Sequence, residues 1–251
     1  RIGGRLHADL DSNGWPQTGR NKAILALRKS FAFHYAGDQH LATVFHHGVD
    51  EWRDSIHSFC VPSIANLYLR WWKPLEPGKN RKPNQDPILG DHLDGFNNKV
   101  TAIAVANPTP TKGGDRLTTR AAGFGVVRID KKTRDITFIC WPRNVDVANK
   151  EAKPYPGWPY TFNQLDNYSR KAVAYLPTLE INQPNQVVQI QHEESKEVVY
   201  TLRINGKSFS PKVFATGSYT IEIGEGDSKR IFKQVKTTAK ENAKSLKVKL
   251  K

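Results

Sequence analysis

The feature that most constrains the fold is a change in the character of the sequence near residue 177. Beyond it, β-branched residues and lysines form short runs separated by turns, at 187–191, 198–204, 212–215, 218–223 and 230–238. Strands that recur about every 8–12 residues are typical of a β-sandwich. Seven of the eight histidines and all six tryptophans lie before residue 160. The chain is therefore predicted to hold two domains, residues 1–168 and residues 177–251.

The segment Ala215–Ile223 indicates an immunoglobulin-like sandwich in the second domain. Its sequence, Ala-Thr-Gly-Ser-Tyr-Thr-Ile-Glu-Ile, combines a turn with an alternating strand. Immunoglobulin-like domains carry a tyrosine near such a turn, and its hydroxyl bonds back to the backbone a few residues upstream. We therefore expect Tyr219 to form a tyrosine corner.

The first domain begins with a pattern typical of an α/β layer. Apolar residues at helical spacing predict a helix over 17–29, and the runs 31–36 and 41–45 predict buried strands. In such layers, ligands collect just beyond the carboxyl ends of strands. Asp38 and His40 follow the first predicted strand, so they are candidate site residues.

The rest of the first domain is predicted to be rich in strands. Alternating runs predict strands at 100–106, 124–130 and 135–141, the last two joined as a hairpin. The turn-rich stretch 75–96 is predicted to be a long surface loop whose polar residues face water. Cys60 and Cys140 lie in apolar runs and are predicted to be core residues, and the sequence does not decide whether they pair.

Asp38 and His40 carry the donor atoms of a metal site. An aspartate and a histidine two residues apart can present a carboxylate oxygen and an imidazole nitrogen to one metal cluster. Such a cluster can polarise a phosphoryl oxygen and supply a hydroxide. Without context, the same spacing also fits a capping aspartate beside a hydrogen-bonded histidine.

The context of this pair resembles the PhoD-type alkaline phosphatases. Members of that metallophosphatase family carry a Trp-Asp-Gly-Tyr-Pro segment with a downstream arginine, then a helix, then Gly-Asp-x-His. Here Asn13-Gly-Trp-Pro16, Arg20, a predicted helix and Gly37-Asp-Gln-His40 follow in that order, with Asn13 replacing an aspartate. The resemblance covers about Asp9 to Val44 and extends through the β-rich stretch to about Tyr168.

The resemblance implies that residues 1–168 are the C-terminal part of an α/β metallophosphatase domain, followed by the all-β sandwich. It implies a phosphoester hydrolase that uses iron and calcium, with Asp38 and His40 as metal ligands. Arg20 would hold the phosphate of the substrate, and His47 would line the mouth of the same pocket. The family's other metal ligands lie upstream of this segment, so we expect them on an upstream half of the protein, whether or not it is a separate chain.

The charge of the chain keeps a second function open. There are 38 basic and 24 acidic residues, a formal net charge of +14, and Ser228–Lys251 holds nine Lys or Arg against one acid. We expect this tail to be a solvated basic end. The alternative function is a non-catalytic extracellular module that binds acidic polymers or a partner subunit.

Partners and location follow from the same features. The basic tail contains one aromatic residue, Phe232, so its composition does not favour a nucleic-acid partner. No apolar run approaches the roughly 18 residues of a membrane helix, so we expect no membrane span. The resemblance implies a secreted or periplasmic protein.

Overall fold

A computed structural model describes residues 16–65, 70–109 and 121–250. Of the segment that resembles the phosphatases, residues 9–15 lie outside the described residues, and Asn13 is among them. The described chain is β-rich, with several sheets and one α-helix, α1, at Gln17–Arg28. No helix in the described ranges is long and apolar enough to cross a bilayer.

The chain forms two compact units. The first comprises the described residues up to Leu27 together with Ala32–Ser169, and the second comprises Arg28–Phe31 together with Arg170–Lys251. The first unit holds α1 and eight described strands: β1 His34–Ala36, β2 Thr43–His47, β3 His57–Cys60, β4 Gly90–Leu93, β5 Lys99–Val105, β6 Gly123–Ile129, β7 Asp135–Pro142 and β8 Tyr160–Asn163.

Two sheets build the first unit. One has the strand order β1-β3-β2-β5-β4, and the other has the order β6-β7-β8. The sheets meet through aromatic side chains, since Phe59 of β3 stacks on Phe138 of β7 with their ring centroids 5.0 Å apart. Phe59, Phe138, Trp158 and Phe162 belong to one buried cluster, which forms the core of this unit.

The hairpin that joins β2 to β3 is held by Asp54. Its carboxylate accepts hydrogen bonds from the backbone N–H groups of Val49, Asp50 and Glu51 at 2.9–3.1 Å. Because the loop is fixed in this way, the register of the two strands is fixed too, and His46 lies directly opposite His57.

The second unit is a small assembly of antiparallel and parallel strands. Its strands are β9 Ala174–Tyr175, β10 Thr178–Ile181, β11 Val187–His192, β12 Val198–Arg203, β13 Ser208–Phe209, β14 Lys212–Val213, β15 Ser218–Ile223, β16 Arg230–Lys236 and β17 Ser245–Val248. They form sheets of order β12-β11-β15-β16, β13-β10-β17 and β14-β9. Inward-facing residues of β11 and β15, Val188, Ile190, Tyr219, Ile221 and Ile223, are almost fully buried.

The predicted tyrosine corner is present. The Tyr219 side chain is buried, and its hydroxyl donates a hydrogen bond to the carbonyl oxygen of Ala215 at 2.8 Å. The segment Arg28–Phe31 completes the same unit from a distant part of the sequence. The Phe31 ring packs edge-on against Tyr200 at 5.5 Å, and the backbone N–H of Thr201 donates to Lys29.

The two segments expected to be exposed both contain strands. The stretch 75–96 is not only a surface loop, because it holds β4, which pairs with β5, and because Asp91 and His92 of β4 are buried. The described basic side chains of the tail are exposed, as expected for a solvated end. Its backbone is nevertheless part of two sheets, because β16 pairs with β15 and β17 pairs in parallel with β10.

Candidate functional site

Asp38 and His40 lie in the turn that directly follows the carboxyl end of β1. Asp38 is exposed and has a left-handed backbone with φ of +66°, and His40 is half-buried. The Cys60 thiol lies beneath this turn, hydrogen-bonded to the backbone of Gln39, and burial raises its pKa to about 11. Cys60 and Cys140 are both free, buried thiols.

The described residues do not complete a metal site around this pair. Among residues 16–65, 70–109 and 121–250, no group of three or more His, Cys, Asp or Glu side chains could hold a metal ion. Catalytic zinc sites, for comparison, use three protein ligands and leave one position for water. A metal site at Asp38 and His40 would therefore need further ligands.

Arg20 and His47, the two predicted catalytic residues, are in contact. Arg20 lies on α1, and its Nη2 is 2.8 Å from the Nδ1 of His47 at the end of β2. The same nitrogen donates to the Lys99 carbonyl at 3.3 Å, and Nη1 donates to the Gly48 carbonyl and to Asn21 Oδ1 at 2.7 and 2.8 Å. All four hydrogens on the terminal nitrogens of Arg20 are thus directed at acceptors within the protein.

This contact determines which ring nitrogen of His47 carries the proton. A guanidinium has no acceptor, so Nδ1 of His47 must accept the hydrogen bond from Arg20 and the proton must lie on Nε2. That Nε2 is 2.8 Å from Ser58 Oγ, to which it therefore donates. Burial, followed by the charge of Arg20, holds the pKa of His47 well below its usual range. In this state His47 cannot take a proton from Ser58, so the pair is not an activated nucleophile.

A second histidine pair lies across β2 and β3. The His46 and His57 rings stack with their centroids 3.9 Å apart, and the other side of His57 stacks on Phe162 at 3.9 Å. Asn167 Oδ1 accepts hydrogen bonds from both the backbone N–H and the Nδ1 of His57, at 2.8 and 3.1 Å. The Tyr160 hydroxyl is 3.2 Å from the remaining ring nitrogen, Nε2, and donates to it.

Both stacked rings are neutral. The Nε2 of His46 donates to the Ser55 carbonyl at 2.9 Å, which fixes its tautomer in the same way. Burial lowers the pKa of His46 to about 4 and that of His57 to about 2. These histidines belong to the core of the first unit, where both side chains are buried.

The buried acid of β4 is neutralised by an arginine. Asp91 Oδ1 accepts from Arg53 Nε at 3.0 Å and from the Thr101 hydroxyl at 2.6 Å, and Asp91 Oδ2 accepts from Asn80 Nδ2 at 2.9 Å. Arg53 is thus engaged with a carboxylate. This network explains how a loop rich in ligand-type residues folds onto the sheet.

Comparison with protein-family models, with curated proteins and with solved structures finds no match to this chain.

The sequence reasoning missed three polar residues of these networks, namely Ser58, Tyr160 and Asn167. Ser58 stands in an apolar run, and the other two are more than a hundred positions from His57. The one signal that was available is the pair of histidines on either side of a turn-like segment, at positions 46 and 57. In a hairpin, two such residues face each other across the strands.

Proposed function

We propose that this chain is part of a metal-dependent phosphoester hydrolase, with Asp38 and His40 as two of the ligands of its metal ions. The observation that carries the proposal is the position of these two side chains in one turn at the carboxyl end of β1, with Asp38 exposed. A strand end is where an α/β layer presents ligand-binding residues. The resemblance to the PhoD-type phosphatases supports the same assignment, with an α/β metallophosphatase fold, iron and calcium as the metals, a phosphate ester as the substrate, and an exported protein.

Within this proposal, Arg20 and His47 position the site and do not bind substrate in the conformation described. Arg20 joins α1 to the end of β2 and to the start of β5 through His47 and the Gly48 and Lys99 carbonyls. For the guanidinium to hold a phosphate group, it would have to leave these acceptors. When bound, the metal ions would supply the charge that polarises the phosphoryl group.

The test measures metal retention and hydrolysis on the purified protein together with the upstream half that is expected to carry the other metal ligands. Iron and calcium are added, excess metal is dialysed away, and bound metal and the hydrolysis of bis-p-nitrophenyl phosphate are measured. We expect His40→Ala and Asp38→Asn to lose both metal and activity. Asp146→Asn, which changes an exposed loop carboxylate elsewhere in the first unit, is the matched control. Unchanged metal content and turnover in His40→Ala would refute the assignment.

The second candidate function is a non-catalytic binding module. Two observations favour it, since the described residues complete no metal site and the Arg20 donors are engaged internally. The metal measurement separates the two candidates, because only the hydrolase needs bound metal.

A further inference from the structure

An open groove lies on the outer face of the sheet β13-β10-β17 in the second unit. Its volume is about 470 Å³, and its lining residues are Glu180, Ile181, Asn182, Lys207, Ser208, Lys247, Val248 and Lys249. The strand register explains why three of these side chains share a face. Glu180 of β10 is level with Ser208 on one side and with Lys247 on the other.

Three lysines give the groove its charge. Lys247 and Lys249 are exposed on either side of buried Val248, so both point outward, about 7 Å apart along the strand. Lys207 is exposed beside β13, which is at the opposite edge of the sheet from β17. Within the described residues, none of the three makes an ion pair, and the one carboxylate in the groove is Glu180. Three lysines against one glutamate give the groove a net positive charge.

The groove offers charge but few directional donors. The backbone N–H groups of Ile181 and Asn182 donate to the Lys207 and Val248 carbonyls, and the Asn182 side chain bonds the backbone of Leu250. The groove contains no arginine, so no planar fork is present to grip a single phosphate. Lysines act as point charges, and an anion with many repeated charges gains most from such a surface.

The composition of the groove distinguishes between classes of polyanion. None of its eight lining residues is aromatic, so it has no platform on which the bases of a single-stranded nucleic acid could stack. Lysine is also depleted at protein–protein interfaces. A polymer of sugars that carry sulfate or carboxylate groups needs no stacking platform.

We propose that the groove lined by Lys207, Lys247 and Lys249 binds a linear acidic polysaccharide. The inference does not depend on the phosphoesterase assignment, because the site lies wholly in the second unit. The Glu180 carboxylate repels an anionic polymer from within the groove. Removing this negative charge should therefore strengthen binding, whereas removing the lysine charges should weaken it.

The experiment is isothermal titration of the full chain with a sulfated decasaccharide at several salt concentrations. We expect the triple variant Lys207→Gln, Lys247→Gln and Lys249→Gln to weaken binding on the order of tenfold or more near physiological salt. We expect it also to reduce the slope of log K against log salt by about 2–3, since each neutralised contact contributes slightly less than one. We expect Glu180→Gln to tighten binding about twofold to fivefold, as for an exposed charge pair.

Two controls separate this site from a general effect of charge. Lys131→Gln, Lys150→Gln and Lys153→Gln remove the same charge from exposed positions of the first unit, and binding should stay unchanged. A second control removes three positive charges from β16, and it should also leave binding unchanged. It combines Arg230→Gln, Lys233→Gln and Lys236→Gln. Equal losses in the groove variant and in either control would overturn the proposal, as would duplex DNA that binds as tightly as the decasaccharide with the same dependence on the groove lysines.

Discussion

Two single residues, His46 and His57, make the stability of the first unit sensitive to acid. The charged groups that act on His46 are Arg53, which disfavours its protonation, and Asp54 and Asp166, which favour it, but burial is the largest effect. A free histidine has a pKa of about 6.5, above both native values. As the pH falls below about 6.5, the unfolded chain therefore binds protons that the native state does not.

The first prediction is a loss of stability of the first unit in acid. The free energy of unfolding should fall by about 1.4 kcal/mol per pH unit for each of the two histidines, between about pH 6.5 and about pH 4. Urea denaturation followed by tryptophan fluorescence measures this, because all five tryptophans among the described residues belong to the first unit.

A variant assigns the proton uptake to the stack. His57→Phe keeps a flat ring against Phe162 and removes one titrating group, so the pH dependence should decrease by about one proton while the fold is retained. His192→Gln, in the second unit, is the matched control and should leave the dependence unchanged. An identical pH dependence in wild type and His57→Phe would contradict this account.

At the scale of the elements, the sequence predicted the strands whose alternation is strong. The strand 218–223 and the hairpin of β6 and β7 lie where they were expected. The strands β3, β4, β8, β9, β10, β13 and β17 were missed. β17 reads Ser-Leu-Lys-Val among five nearby lysines, so its two apolar residues carry a weak signal. Its position depends on β10, some 67 residues away, which no local pattern encodes.

Only the part of the candidate site that is local in the sequence was predictable. The turn with Asp38 and His40 is local, and the pattern of a strand followed by a glycine identified it. The contact between Arg20 and His47 joins residues 27 positions apart and depends on how α1 lies on the end of β2. The hydrogen bonds of Arg20 connect α1 to the end of β2 and the start of β5, and its role in holding substrate stays a prediction.

The C-terminal tail has a structural role, because its strand β17 pairs with β10, and this role can be tested. Removing residues 245–251 deletes β17 together with the buried side chains of Val248 and Leu250. We expect the second unit to lose about 3–6 kcal/mol of stability, from about 1.5–3 kcal/mol for each buried aliphatic side chain. Hydrogen exchange of β10 and β11 measures this. Lys247→Gln with Lys249→Gln, which changes the outward face of the same segment, should leave exchange unchanged, and protection that survives the deletion would disprove the role.

At the scale of the whole molecule, two aromatic residues separated by one position belong to different units. Phe31 packs on Tyr200 in the second unit, with the rings 5.5 Å apart. Phe33 packs on Phe138 in the first, also at 5.5 Å. The boundary between the units therefore falls within a few residues of the chain.

The two phenylalanines give a matched test of this division. We expect Phe31→Ala, at a site only 3% exposed, to destabilise the second unit by about 3 kcal/mol or more. Its effect should appear as faster hydrogen exchange in β12 and not in the tryptophan-detected unfolding of the first unit. Phe33→Ala should do the reverse. If either variant weakened both units equally, the assignment of Arg28–Phe31 to the second unit would be wrong.

The parallel pairing of β10 with β17 also has a consequence for the order of events during synthesis. Leu179 emerges from the ribosome long before its neighbour Leu246, so β10 has no partner on that side until nearly all of the second unit has been made. Contacts between distant parts of a chain slow folding, and exposed strand edges promote aggregation. The newly made chain should therefore depend most on chaperones in the interval between the synthesis of these two strands.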